Sequence, residues 1–405
     1  MNLTVLTTGR RVSRAALCGC VVLVMMIGTV SALPARPDVA TLNRLRALPV
    51  ERAVTELRTL PAEEALHYAF ALFESQLQRG DRRGADHFLA AAEEIARASS
   101  KTPELSEILT TRAALAQAVG DVAGAIGVMA EVVELTEAAG MAEELILSLV
   151  FLGNLQHRYG VLAQAAETMG RVLAREADME NRLLLAGALS ETAMINYKLG
   201  RLDDVVPFLE RALPIFREFN DENGIGTVYR IYGNYHNGLG QVETAIDYYE
   251  RARAHYVNTN NVHDYANISF NIGLVFLQAG MPMEALPNLE NAIENFANAG
   301  SLSGAGMAGT ELGRALYQLR RFAEAEQIVQ QARRHLESSQ SFLRLAQAHA
   351  MYGAIRFSQG DNDGALSAYG EALRLYRRLG LAADERRTLE TIIRIREGTQ
   401  GEIEL

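Results

Sequence analysis

Glycine returns at intervals of 40 residues through most of this chain of 405 residues. The series consists of Gly80, Gly120, Gly160, Gly200, Gly240, Gly280 and Gly360, and only Arg320 departs from it. Because glycine adopts left-handed backbone angles without steric cost, it commonly ends a helix. Helix ends at a fixed interval predict a repeated helical unit, and such units stack in a row instead of closing around one core.

Small residues occupy further fixed positions of each repeat. The fifth residue after each turn is Ala in every repeat except the fourth, which has Val205. The seventh residue before the turn is Ala or Gly in every repeat except the first, which has Phe73. The twelfth residue after the turn is Ala or Val, and the ninth is larger and apolar. Small residues at fixed places let helices approach closely, so each repeat is predicted to be a helical hairpin with apolar faces on both helices.

A second series of breaks divides residues 61–380 into eight hairpins. These breaks fall near Ser100, Gly140, Asn181, Asn220, Asn260, Gly300, Ser341 and Gly380. Residues 33–60 precede the register and form two short helical patterns, which we expect to cover one end of the stack. Residues 381–405 hold one more amphipathic helix and a tail, and we expect this helix to cap the other end.

Residues 1–32 have the composition of a secretory signal peptide. Three arginines precede an apolar run from Ala15 to Val30, and Val30, Ser31 and Ala32 supply small residues for cleavage. We therefore expect the chain to be exported, as a periplasmic or secreted protein. The apolar run is also long enough for an uncleaved anchor in the inner membrane, with the remainder facing the periplasm, and this is the alternative.

Charge and cysteine content exclude several kinds of site from the remainder of the chain. Both cysteines, Cys18 and Cys20, lie in the apolar segment, so residues 33–405 contain neither a disulfide nor a cysteine metal ligand. Without residues 1–32 the chain has 36 basic and 49 acidic residues, a net charge of −13 against −10 for the whole chain. A body of this sign repels phosphate backbones and anionic lipid, which argues against nucleic acid as a partner. Membrane contact is expected only if the N-terminal segment stays uncleaved.

The fifth repeat carries a family resemblance. Its Gly233, Gly240, Ala245 and Ala252, together with Tyr232 and Tyr249, resemble the tetratricopeptide repeat signature, and the same register covers about four-fifths of the chain. The interval of 40 residues exceeds the usual length of about 34. It is similar to the long-helix variant of kinesin light chains and of maltose-regulator-type bacterial proteins. The resemblance implies an all-α fold, a right-handed α-solenoid of about eight hairpins with capping helices at both ends.

The search for catalytic motifs gives no positive signal. Gly304, Gly306 and Gly309 satisfy the dinucleotide-binding pattern, but they lie in a predicted helix with no strand before it, so we interpret them as helix-packing residues. The histidines show no metal-ligand spacing, and no nucleophile elbow is present. We predict no enzymatic activity, no cofactor and no metal.

The resemblance also implies a binding face. In tetratricopeptide domains the residues thirteen, ten, six, three and two before the turn line the inner groove, and these offsets share one helical stripe. In the third to eighth hairpins this stripe contains no Asp or Glu and four basic residues: Arg158, Lys198, Arg230 and Arg314. The pattern predicts a groove opposite in charge to the body, which suits a partner of acidic character. The alternative is that four scattered cations serve only solubility. Glu74 and Glu107 occupy the stripe in the first two hairpins.

One constellation within the stripe is more specific. Arg230, Asn234 and Asn271 resemble half of the carboxylate clamp of some tetratricopeptide domains, whereas Met307 and Glu311 stand where the other cations of that clamp are found. Amides both donate and accept, so they can hold the main chain of an extended peptide. The alternative role for these asparagines is packing between helices. The predicted groove residues are Asn154, Arg158, Tyr197, Lys198, Arg230, Asn234, Asn237, Asn267, Phe270, Asn271, Arg314 and Tyr317.

These features predict an exported, non-enzymatic protein-interaction scaffold that binds a peptide or protein segment. The alternative is a membrane-anchored sensory or regulatory module that acts through a partner protein.

Overall fold

The computed structural model describes residues 38–259 and 261–398. The predicted signal peptide, its anchor alternative and the predicted break at Asn260 lie outside the described residues. Within them the chain forms helices and turns and no strand, which confirms the predicted all-α class. The α-helices are α1 (Val39–Ala47), α2 (Val50–Leu57), α3 (Ala62–Arg79), α4 (Arg82–Ala98), α5 (Thr102–Ala118), α6 (Val122–Ala138), α7 (Ala142–Tyr159), α8 (Leu162–Leu173), α9 (Arg182–Lys198), α10 (Val205–Glu218), α11 (Glu222–Gly238), α12 (Val242–Asn258), α13 (Val262–Gln278), α14 (Pro282–Asn298), α15 (Leu302–Gln318), α16 (Phe322–Ser338), α17 (Phe342–Ser358), α18 (Asn362–Arg378) and α19 (Ala382–Arg396).

Turn chemistry fixes the helix ends. Each glycine of the 40-residue series has a positive φ, between 72° and 86°, as the sequence predicts. Arg320 adopts the same conformation, with φ 59°, although its Cβ makes this backbone region costly. Many helices begin with an aspartate whose carboxylate accepts a hydrogen bond from the backbone N–H three residues on, such as Asp221 before α11 and Asp361 before α18.

The two helices of a hairpin meet through the small residues of the first helix. A Cβ atom at Gly153, Gly233, Gly273 or Gly353 would lie between 2.6 and 2.8 Å from the side chain nine residues after the turn. Gly313 faces Val329 in the same way. The predicted close approach is confirmed, and the partner of each glycine is the larger apolar residue of the second helix.

The chain divides into two compact units between Arg201 and Leu202, in the turn of the fourth hairpin. In the first unit the hairpins α3–α4, α5–α6 and α7–α8 follow one another with α9 after them, and α1 and α2 pack on α3 and α4. Leu45, Ala53 and Leu57 are buried there. The repeat register does not show this division. Two 3-10 turns flank this region: Glu176–Asp178 follows α8 at the end of the third hairpin, and Leu202–Asp204 precedes α10 in the fourth.

The second unit contains α10 and the four hairpins α11–α12, α13–α14, α15–α16 and α17–α18, followed by α19. Helix α19 packs on α18 and buries Ile392 and Ile395, while Leu389 and Ile393 remain 38% and 44% exposed. Among the described helices, none combines the length and the apolar character needed to cross a membrane.

The glycines of the dinucleotide-like pattern serve packing. Gly304, Gly306 and Gly309 are buried in α15. A Cβ atom at each would lie 2.5 Å from Phe296, 2.5 Å from Leu336 and 3.0 Å from Ala332, respectively. These neighbours belong to α14 and α16, so the pattern lets α15 lie close to both.

Candidate functional site

The predicted groove residues belong to both units. Asn154, Arg158, Tyr197 and Lys198 lie on α7 and α9 of the first unit. Arg230, Asn234, Asn237, Asn267, Phe270, Asn271, Arg314 and Tyr317 lie on α11, α13 and α15 of the second unit.

In the first unit, carboxylates stand close to the stripe. His157 of α7 pairs through Nδ1 with Glu191 of α9, so this junction of first helices contains an acid. Nearer the N-terminus, burial raises the pKa of Glu107, and the charges of Glu104 and Glu74 raise it further. Asn154 is half-buried and Arg158 is exposed on α7. On α9, Lys198 is exposed, and burial raises the pKa of the half-buried Tyr197.

In the second unit, Arg230 has neighbours from its own hairpin and from the next. It lies beside the hydroxyl of Tyr256, where its charge opposes the rise that burial gives the tyrosine pKa. It also lies near Asp264 of α13. Burial raises the pKa of Asp264, but His263 and the charge of Arg230 outweigh burial and the net shift is downward. Asp264, which lies one turn before the stripe residue Asn267 on α13, therefore balances the cation.

The amides of α11 connect helices. Asn234 Oδ1 accepts a hydrogen bond of 2.7 Å from the Tyr249 hydroxyl of α12. Asn237 donates to Gln278 Oε1 at 3.1 Å and so joins α11 to α13. Asn234 thus has the packing role that the sequence left open as an alternative, and Asn237 bridges two first helices.

Helix α13 has four residues on one face, at spacings of four, three and four residues. They are Asn267, Asn271, Leu274 and Gln278, and only Leu274 is apolar. Asn267 donates to His263 Nδ1 at 3.1 Å and more weakly to Asp264 at 3.4 Å. Asn271 is half-buried, and no hydrogen bond within the described residues involves its amide. Phe270 is only 8% exposed and belongs to the core, which leaves little of its ring for a ligand.

On α15 the stripe cation also faces an acid. Arg314 Nε lies 3.3 Å from Glu311 Oε2. Burial raises the pKa of Glu311, although the charges of Arg314 and of Arg344 on α17 oppose this rise. Tyr317 accepts a hydrogen bond of 3.0 Å from Ser358 Oγ, and its ring lies 5.5 Å from that of Phe322. The stripe itself lacks acids, but acids immediately beside it neutralise both of its arginines in this unit.

The sequence reasoning missed a cluster of aromatic rings on the opposite side of α11. Tyr232 and His236 each stack on Tyr248 of α12 with ring centroids 5.0 Å apart, and Tyr229 stacks on His255 at 5.6 Å. The spacing of Tyr229, Tyr232 and His236 along α11 was the available signal, because residues three, four and seven apart share a face. Within the described residues, no group of three or more His, Cys, Asp or Glu side chains is placed to hold a metal ion.

Two-helix units of constant length, joined by small residues and stacked in sequence, define a helical-repeat protein of the α-solenoid class. Residues 184–256 and 224–298 match the family model described as tetratricopeptide repeat. The two matches together cover residues 184–298, and the hairpins of this segment are similar to tetratricopeptide repeats.

Solved structures share the fold at low sequence identity. A Rap protein complexed with Competence and Sporulation Factor is 11% identical, with a TM-score of 0.53, and the match covers 83% of this chain and 98% of that one. A signal-transduction ATPase with a tetratricopeptide repeat sensor from Pyrococcus horikoshii is 11% identical, with a TM-score of 0.55, over 82% of this chain and 52% of that one. No curated protein matches the chain.

Proposed function

We propose that this chain is an exported, non-enzymatic scaffold that binds an extended peptide or protein segment on the first-helix face of its second unit. This face is formed by the stripe residues of α11, α13, α15 and α17. The observation that carries the proposal is the Asn271 amide, which is half-buried and has no hydrogen-bond partner in the part of the chain that the structure describes. An amide in this state offers both a donor and an acceptor to a peptide main chain.

The neighbours of Asn271 support main-chain binding. Asn267 and Gln278 flank it on α13, and Asn237 reaches Gln278 from α11, so amides line the face on two adjacent helices. Amides recognise the backbone of a peptide regardless of its side chains. Because Asp264 and Glu311 lie beside Arg230 and Arg314, the face is close to neutral. We therefore propose only a modest preference for segments of acidic character.

Similar folds are used for ligand binding elsewhere. The Rap protein was solved in complex with Competence and Sporulation Factor, and the repeats of the Pyrococcus protein are described as a sensor. These likenesses support the proposal at the level of the fold.

The test selects peptides from a randomised library with the purified protein and measures their affinity by fluorescence anisotropy. Asn271→Ala removes the free amide, and we expect it to lower the affinity for the selected peptides about fivefold to tenfold. Asn288→Ala, which changes a half-buried amide on the second helix α14, is the matched control and should leave affinity unchanged. Equal affinities for the wild type and Asn271→Ala would remove Asn271 from the site.

A second variant tests the charge of the face. Joint substitution Arg230→Glu and Arg314→Glu should favour basic over acidic peptides in the same selection, because it reverses both stripe cations. An unchanged peptide preference would contradict the proposed acidic character of the partner.

Export is proposed from the signal-like residues 1–32. The alternative, a membrane-anchored sensory or regulatory module acting through a partner protein, rests on the length of the same apolar run. Mass spectrometry of the N-terminus in native cells separates the two. A chain that begins at Leu33 supports export with cleavage, and a chain that retains residues 1–32 supports the anchor.

A further inference from the structure

Two tyrosines occupy the same repeat position in the second unit, nine residues after the turn. Tyr249 lies on α12 and Tyr369 on α18, and they are 2% and 4% exposed. A Cβ atom at Gly233 would lie 2.6 Å from the Tyr249 ring, and one at Gly353 would lie 2.8 Å from the Tyr369 ring. The two rings are therefore seated against their first helices in the same way.

The surroundings of the two hydroxyl groups differ. Tyr249 donates to Asn234 Oδ1 at 2.7 Å. The residue equivalent to Asn234 in the eighth hairpin is Ala354, and the Tyr369 hydroxyl has no hydrogen-bond partner among the described residues. A buried hydroxyl without a partner has lost its hydrogen bonds to water and gained none in return, which lowers the stability of the fold. The eighth hairpin thus lacks the carboxamide that the fifth hairpin supplies from its own chain.

A second buried polar atom without a hydrogen bond lies in the preceding hairpin, on α15. Arg314 of α15 has the repeat position of Asn234 and Ala354, six residues before the turn. Its Nε is buried and makes no hydrogen bond within the described chain, although Glu311 lies 3.3 Å away. A guanidinium N–H and a phenol hydroxyl are both donors, so an acceptor oxygen would complement them.

Tyr317 of α15 lies near Tyr369 and contacts α17. Its hydroxyl accepts a hydrogen bond from Ser358, and this bond connects α15 to α17. The Tyr369 pKa is raised by burial and further by the nearby Tyr317 phenol, which places the two side chains in one neighbourhood. We call the group of residues Arg314, Tyr317, Ala354, Ser358 and Tyr369 the Ala354 site.

We propose that the Ala354 site binds a side-chain carboxamide, from Asn or Gln, of the segment held on the first-helix face. The carboxamide oxygen accepts the hydrogen bond of the Tyr369 hydroxyl, as Asn234 Oδ1 accepts that of Tyr249. The ligand thus provides the carboxamide that Asn234 provides within the fifth hairpin. This inference rests on the proposed function and specifies its ligand.

Charge favours a carboxamide over a carboxylate. Glu311 stands next to Arg314 and already balances its positive charge, so a ligand carboxylate would meet a carboxylate of like sign. Ala354 is fully buried, so in this proposal the ligand group enters by displacing the half-buried Tyr317 ring from Ser358. That movement breaks one hydrogen bond to an exposed serine, whose hydroxyl can bond to water instead.

The test uses three capped peptides that are identical except for a central Gln, Glu or Leu. Binding is measured by NMR titration of the protein with 13C-labelled tyrosine, with the Tyr369 ring signal as the readout. We expect the Gln peptide to bind about tenfold more tightly than the Leu peptide, and to shift the Tyr369 signal, because it fills one buried hydrogen bond. The Glu peptide should bind no better than the Leu peptide.

Two variants distinguish a binding site from a packing defect. Tyr369→Phe removes the hydroxyl and should abolish the preference for Gln, so that the Gln and Leu peptides bind with similar affinity. Ala354→Asn restores the internal partner seen in the fifth hairpin, so it should raise the unfolding temperature and also abolish the preference. Wild-type protein that binds the Gln and Leu peptides equally overturns the proposal, as does a preference for Glu.

The same peptides separate this inference from the proposed function. The inference concerns the ratio of affinities between peptides, whereas Asn271→Ala tests their absolute affinity. A loss of Gln preference with retained binding contradicts the Ala354 site alone. Unchanged binding of all three peptides by Asn271→Ala, with the Gln preference intact, contradicts the role of Asn271 alone.

Discussion

Within the second unit, the hairpin pair α11–α14 and the hairpin pair α15–α18 have the same repeated backbone arrangement. They differ in whether their buried polar side chains have hydrogen-bond partners. In the former, Asn234 pairs with Tyr249, and Asn291 accepts a hydrogen bond of 2.8 Å from Ser269. No buried side-chain nitrogen or oxygen lacks a partner in the described residues of α11–α14. In the latter, four such atoms lack one within the described chain: Arg314 Nε, Arg333 Nε, His349 Nδ1 and the Tyr369 hydroxyl.

This difference shows that repeat packing and polar satisfaction are separate requirements. Packing of a hairpin needs small residues opposite large ones, and both pairs of hairpins meet this need. Satisfaction of buried polar atoms needs a matching side chain at one exact distance, and α15–α18 lack it at several places. Unsatisfied groups lower stability and remain available to a ligand or a proton.

The largest expected effect concerns His349 of α17. Burial lowers its pKa to about 4, the charges of Arg333 and Arg374 also lower it, and Glu371 opposes them. Because the folded pKa lies below the unfolded value of about 6.5, the folded state binds fewer protons, and stability falls as the pH drops from 6.5 through 4. We expect a loss of about 2–3 kcal/mol across this range.

The measurement is denaturant unfolding at pH 7 and at pH 4.5, compared between the wild type and His349→Gln. Carboxylates with lowered pKa values, such as Asp264 and Asp361, also lose stability in acid, so the relevant quantity is the difference between the two proteins. His335→Gln on the second helix α16 is the control. If the wild type and His349→Gln lose the same unfolding free energy between pH 7 and pH 4.5, His349 is not the cause of the acid sensitivity.

The next effect tests whether the two tyrosine rings are seated alike. Gly233→Ala and Gly353→Ala each place a Cβ atom against a buried ring, and we expect each to destabilise the protein by about 1–3 kcal/mol. Gly370→Ala, where no atom lies within 4 Å, should instead stabilise it by about 0.5–1 kcal/mol through helix propensity. Thermal unfolding of the three variants measures the change in stability caused by each substitution. Unequal costs at Gly233 and Gly353 would mean that the fifth and eighth hairpins pack differently.

A smaller effect isolates the hydroxyl groups. Tyr249→Phe loses the bond to Asn234 and should cost about 1 kcal/mol. Tyr369→Phe removes a hydroxyl without a partner among the described residues and should be neutral or stabilise by up to about 1 kcal/mol. Chemical denaturation gives both values. Equal losses at the two positions would show that a partner satisfies the Tyr369 hydroxyl in solution.

The smallest effect concerns the turns. Arg320 holds a left-handed conformation that glycine adopts at the other positions of the 40-residue series. Arg320→Gly should therefore raise stability by about 0.5–1 kcal/mol, and Gly280→Ala should lower it by a similar amount. Differential scanning calorimetry of both variants tests the pair. A loss of stability in Arg320→Gly would indicate that the arginine side chain contributes more than its backbone costs.

The repeat register predicted the helices closely because each requirement recurs. Gly240 marks a helix end, and Gly233 faces Tyr249 across the hairpin, so sequence spacing alone identified both elements. It did not identify Asp264 as a neighbour of Arg230, because Asp264 lies outside the stripe offsets. The stripe offsets also do not include the aromatic cluster around Tyr248, because Tyr229, Tyr232 and His236 lie on the other face of α11.

The roles of the candidate site residues divide in the same way. Sequence placed Asn234 and Asn271 on one face but left open whether they bind a ligand or pack between helices. The structure gives Asn234 a partner in Tyr249 and gives Asn271 none in the described chain. Whether the predicted groove residues bind a peptide stays a prediction.

The sequence by itself determined the hairpin unit, its turns and its packing partners, because each repeat contacts its neighbours at fixed intervals and small residues are required at fixed places. Only the tertiary structure decided the division of the chain at Arg201 and the hydrogen-bond state of each polar side chain. A hydrogen bond depends on distances of a few tenths of an ångström and on side-chain direction across two or three helices, and periodicity contains neither.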